Sequence, residues 1–149
     1  MTTAITVDST QTTAFAGNTI QRGDVHLIKQ VSPYVLTDAD ATLRGVHMKN
    51  RLLTCIPTTD RTKTTGTATS LIADLLMTAD DDAFDFTVIN LGSGSSAFDV
   101  YIAAGTDVTL VGNMHVSALD VVDSAIATGS GQFRVRRVSS TTVSVYRLS

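Results

Sequence analysis

From Phe84 to the C-terminus the chain repeats one pattern: a short run with apolar residues at alternate positions, then a cluster of turn residues. Phe84, Phe86 and Val88 alternate before Asn90-Leu91-Gly92-Ser93-Gly94-Ser95. Phe98, Val100 and Ile102 alternate before Ala104-Gly105-Thr106, and Val108 and Leu110 before Gly112-Asn113. Weaker runs at 115–122 and 124–127 lead to a turn at Thr128-Gly129-Ser130-Gly131. Phe133 and Val135 then alternate, 139–142 turns again, and 143–148 is the last strand. A period of two belongs to strands with one buried face. Runs joined by a turn every roughly 8–12 residues, here read as a meander, point to a sandwich or barrel.

The first half is less regular. Residues 24–31 alternate, with Val25, Leu27, Lys29 and Val31 on one face, and Ser32-Pro33 closes that strand. Residues 43–48 and 51–56 are two further short strand candidates, the second ended by Pro57. Residues 57–67 read as a polar loop. Ala68, Leu71, Ile72, Leu75, Leu76 and Ala79 then fall at helical spacing. This predicts one short helix over 68–79, capped by Thr67 or Thr69 and ended by Asp80-Asp81-Asp82. The fold class is therefore all-β, a jelly-roll-like sandwich or barrel with one short helix. Its core should hold Phe84, Phe86, Val88, Phe98, Val100, Ile102, Phe133 and Val135, with Leu71, Leu75 and Leu76 packing the helix on them.

Residues 1–22 stand apart. They are rich in Thr and offer Ile5, Val7, Phe15 and Ile20 as apolar anchors, too few for a core of their own. They read as an extended N-terminal arm or as a first strand, ahead of a single β domain at 23–149. As an arm, they could add a strand to a neighbouring sheet edge.

Charge excludes some partners. The net charge is −3 and the only basic cluster is Arg134, Arg136 and Arg137, which speaks against bulk nucleic-acid binding. No apolar stretch is long enough for a membrane helix, and the N-terminus lacks the pattern of a signal peptide, so a cytoplasmic site of synthesis is expected. Only 17% of residues are charged, which suggests that much of the surface meets other protein.

No constellation of catalytic, cofactor-binding or metal-ligating residues emerges. Cys55 is the single cysteine, sits in an apolar run and has no local base. His26, His47 and His115 have no partners at ligand spacing. Asp80, Asp81, Asp82 and Asp85 lack the glycine and glutamate of a calcium loop and read as a solvated turn. Gly92-Ser93-Gly94-Ser95-Ser96 lies in a hairpin, where neither a nucleophile elbow nor a dinucleotide loop is placed. Arg134 and Arg136 share one strand face and could meet an acidic partner, although cross-strand acids would satisfy them as well.

A resemblance covers a little over half the chain. It runs through Thr67-Ala68-Thr69-Ser70-Leu71-Ile72, Asp82-Ala83-Phe84-Asp85-Phe86-Thr87-Val88-Ile89-Asn90, Gly92-Ser93-Gly94-Ser95, Ala103-Ala104-Gly105-Thr106 and Val108-Thr109-Leu110-Val111-Gly112-Asn113. It closes with Phe133-Arg134-Val135-Arg136-Arg137-Val138 and Val143-Ser144-Val145-Tyr146-Arg147-Leu148. This pattern resembles a β-rich module of tailed-bacteriophage virion proteins, including head decoration (cement) proteins and fibre-type proteins. The resemblance implies a non-enzymatic structural protein on the capsid surface of a virion, often a homotrimer, with the major capsid protein as partner and no cofactor. On this reading Ile5, Val7, Phe15 and Ile20 contact the capsid, and Arg134 and Arg136 form a partner-facing patch. The alternative is a head or tail fibre-type protein that binds a receptor or glycan, to which the 5% aromatic content and absence of Trp give little support.

Overall fold

A computed structural model describes residues 19–22, 25–28, 30–92, 98–118 and 129–149. The chain divides into two compact units, residues 1–31 and 32–149. In the first, strands β1 (Thr19–Arg22) and β2 (Val25–Ile28) pair antiparallel, with Ile20 opposite Leu27. This hairpin spans the 22–23 position at which the sequence places its boundary.

The second unit is predominantly β. One sheet has four strands and the other six. The strands are β3 (Tyr34–Val35), β4 (Ala41–Leu43), β5 (Leu52–Cys55), β6 (Arg61–Thr65), β7 (Ala83–Asn90) and β8 (Val100–Ala103). They continue with β9 (Val108–Val111), β10 (His115–Val116), β11 (Ser130–Arg137) and β12 (Val143–Arg147). The four-stranded sheet has the order β10-β8-β6-β4 and the six-stranded sheet the order β3-β5-β7-β11-β12-β9. The expected meander is replaced by a winding path: from β3 to β10 each successive strand lies in the other sheet. That path makes β3, β5 and β7 parallel neighbours in one sheet and β4, β6 and β8 parallel neighbours in the other. Among the described residues of this unit, only β11 and β12 join as a hairpin of consecutive strands.

The core lies between the sheets. Leu53, Cys55, Phe86, Val88, Phe133, Val135, Val143 and Val145 face inward from the larger sheet, and Leu43, Val100, Ile102 and Val116 from the smaller. Alternation in β7 and β11 thus serves one purpose: each strand offers one side to a shared apolar interior. Phe84 is only partly buried and packs on the rim of this cluster, and Phe98 is half-buried, so neither is a full core residue.

Three local expectations change. Residues 61–65 were expected in a loop and form β6, because Thr62, Thr64 and Thr65 are β-branched and Lys63 and Thr65 turn inward. Lys63 is buried, and its ammonium donates to the carbonyls of Thr37 and Ala39, which lets a charged residue occupy a core position. Residues 45–48, expected to continue a strand, form a one-turn helix, α1 (Gly45–Met48), so there are two helices among the described residues. Ser130 and Gly131, expected in a turn, open β11.

The predicted helix is α2 (Ala68–Leu75), and it stops short of residue 79. Thr67 caps it by accepting from the Ser70 N–H at 3.2 Å. Leu76 ends it in the left-handed region with φ 58°, while the Met77 N–H reaches back to the Ile72 carbonyl at 3.0 Å. In this conformation Leu76 points outward and is 74% exposed, a correction to its expected core position, and Met77 is the buried side chain instead. Glycine suits such a position better than a Cβ-bearing residue. Leu76→Gly should therefore stabilise the unit by roughly 0.5–1 kcal/mol, seen as a rise in melting temperature of a few degrees. An unchanged or lower melting point would mean that the exposed side chain supports the helix end.

One end of the unit is built from stacked crossovers. α1 follows β4, α2 follows β6 and the 104–107 turn follows β8, all at the same end of parallel strands. The Gly66 N–H donates to the Leu43 carbonyl at 3.0 Å, and the Ala68 N–H to the Thr106 carbonyl at 2.9 Å. At the opposite end an aspartate stands just before each parallel strand of the smaller sheet and binds an N–H of the next coil. Asp40 accepts from Thr62 at 2.8 Å, Asp60 from Asp99 at 3.0 Å and Asp99 from Ala118 at 3.2 Å.

Candidate interaction surface

The outer face of the six-stranded sheet gathers the residues that can meet a partner. Its inward positions in β5 and β7 are Leu53, Cys55, Phe86, Val88 and Asn90, so alternation turns Leu52, Thr54, Thr87 and Ile89 outward. Parallel pairing sets Leu52 beside Thr87 and Thr54 beside both Ile89 and Val35. Just beyond the strand ends, Ile56 follows Cys55 and Leu91 follows Asn90 in the same register, and the Leu91 N–H donates to the Cys55 carbonyl at 2.7 Å. Val35, Ile56 and Leu91 are 68%, 61% and 48% exposed. No charged side chain occurs among these seven outward positions. A soluble domain usually keeps such surface small or uses it for contact.

Further along the face, β7 and β11 carry charge, and their pairing brings together the two clusters singled out in the sequence. Arg134 sits opposite Asp85 in the β7–β11 ladder and holds it with two bonds, Nε to Oδ1 at 2.7 Å and an Nη to Oδ2 at 2.8 Å. Arg136 pairs with Asp81. Arg137, at the end of β11 on the same side as Phe133 and Val135, reaches Asp80 at 3.2 Å and donates to the Met77 carbonyl at 2.9 Å. Asp82 does not face an arginine first; it accepts the N–H groups of Thr78 and Ala79 at 2.7 and 2.8 Å and so closes the turn after α2. The acidic turn and the basic strand are therefore partners across the chain. Arg134 remains about half exposed while paired, so a polar rim borders the apolar half. Ile5, Val7 and Phe15 lie outside the described residues, and for Ile20 the backbone pairing in β1 is what the structure describes.

These pairings set an acid response. The Arg134 bond holds the Asp85 carboxyl below its ordinary range, the Ala79 and Thr78 amides do so for Asp82, and the Arg61 guanidinium does so for Asp38. A carboxyl depressed in the folded state favours folding above its unfolded pKa near 4, and that contribution is lost as pH falls through the folded value. The melting temperature should hold steady from pH 6 to about 4.5 and fall below that. Asp85→Asn should remove part of the fall. A flat profile down to about pH 2 would mean that these contacts do not persist in solution.

The remaining titratable groups make separate contacts. His47 stacks on Tyr34 with ring centroids 4.3 Å apart, and its Nδ1 accepts the Arg44 N–H at 3.3 Å. Burial pushes its pKa down. His115 stacks on Tyr101, and its Nε2 lies 2.7 Å from Asp99 Oδ2, within ion-pair reach but not aligned as a hydrogen bond. Cys55 is buried, and desolvation raises its thiol pKa. Among the described residues no group of three or more His, Cys, Asp or Glu converges as metal ligands would.

Sequence reasoning missed Val35, Ile56 and Leu91 as surface residues. A signal existed in the run Leu52-Leu53-Thr54-Cys55-Ile56, which is apolar on both faces of a strand. A strand of that kind needs cover on both sides, as in a sheet flanked by helices, and among the described residues both helices lie at the crossovers. No protein-family model matches the chain, no curated protein matches it, and no solved structure matches it.

Proposed function

We propose that this chain is a non-enzymatic structural protein of a tailed-phage virion, a decoration protein that binds the assembled capsid and stabilises the shell as a homotrimer. The observation that carries the reading is the half-apolar, uncharged outer face at Val35, Ile56 and Leu91, bordered by the Asp85–Arg134 pair. An apolar centre with a polar rim is the anatomy of a protein–protein contact. The likeness of residues 67–148 to a virion module supplies the class of partner. The predominantly β build in two sheets suits a structural role of this kind.

The mechanism is linkage. A protein that binds the assembled lattice and not its separated subunits shifts the balance toward assembly, and many identical sites multiply the effect. The first unit contributes a second contact: a two-stranded hairpin is marginal alone in water and gains stability against a larger surface.

The test is a binding assay on capsids that lack the protein, read by co-sedimentation and by density on the particle. The wild type should saturate a fixed number of sites. Ile56→Asp with Leu91→Asp should weaken binding at least tenfold, since each places a charge in a desolvated contact. Its melting temperature should stay near that of the wild type, because both side chains are exposed. Wild-type protein that fails to bind any capsid sinks the reading, and a double variant that binds as tightly as wild type moves the contact to another face.

A further inference from the structure

We draw no further inference here: the strongest candidate, the buried Lys63 ammonium near the Cys55 thiol in the core between the sheets, is already engaged by the Thr37 and Ala39 carbonyls, and a lone buried cysteine with no second group aimed at it carries no chemistry.

Discussion

Phe86→Ala should cost the protein roughly 3–5 kcal/mol, a large share of what holds a domain of this size folded. Phe86 is 1% exposed and stands directly opposite Phe133 in the β7–β11 ladder, with ring centroids 5.4 Å apart. The two rings stack where the central strands of the larger sheet meet the smaller one. Truncation removes the transfer energy of the ring and leaves a cavity that a sheet fixed by hydrogen bonds on both sides of β7 closes poorly. It also strips Phe133 of its aromatic neighbour, worth about 0.5–1.5 kcal/mol beyond area. Equilibrium urea unfolding measures the loss, and Phe84→Ala, at the half-buried rim, should cost clearly less. A loss below about 1 kcal/mol at Phe86 would put that ring outside the core.

The strands that sequence reading places well are those that bury one face. Phe84, Phe86 and Val88, or Phe133 and Val135, announce a period of two because the solvent side of each strand is polar. β6 fails this test. Its inward residues are Lys63 and Thr65, so the apolar count along 61–65 is zero although the β-branched content is high. Lys63 becomes a core residue only through carbonyls some 25 residues earlier in the chain, which no local window contains. α2 was legible from its stripe and its cap, but not its end. Ile72 and Leu75 continue smoothly into Leu76, and the left-handed turn there has no glycine to mark it.

Strand partners were harder still. Nothing in a short alternating run says which sheet it joins, and the meander was the simplest guess. The winding path did leave a trace that a search for repeats would have caught. Asp40, Asp60 and Asp99 each precede a strand of the smaller sheet, and Gly45, Gly66 and Gly105 follow the same strands five or six positions later. The aspartate binds an amide of the next coil, and the glycine sits where crossovers stack. The candidate surface was half legible. Arg134 and Arg136 share a face as alternation requires, while their acids, Asp85 and Asp81, were noted as a separate turn. Only the antiparallel register of β7 and β11 joins the two.

The stacked glycines set the other large effect. A Cβ added at Gly105 would lie 2.3 Å from the Thr65 carbonyl oxygen and 2.5 Å from that of Gly66. Both are backbone atoms of the preceding crossover, so no side-chain rotation relieves the clash. The Gly105 N–H donates to Thr65 Oγ1 at 2.8 Å, and the next carbonyl, Thr106, receives the first amide of α2 at 2.9 Å. Pushing the 104–107 turn outward therefore breaks both bonds and frees the start of the helix. Gly105→Ala should cost about 3 kcal/mol or more, the upper end for overpacking a rigid site. That loss corresponds to a melting temperature lower by roughly 10 °C. Gly66→Ala is the control. Its added Cβ meets chiefly Ser70 Oγ at 2.6 Å, the tip of a side chain that can turn away, so its penalty should be well under half as large. Calorimetry of the two variants separates the cases. If Gly105→Ala melts within about 2 °C of wild type, the crossovers do not stack this closely and the coiled path between the sheets is looser than the hydrogen bonds imply.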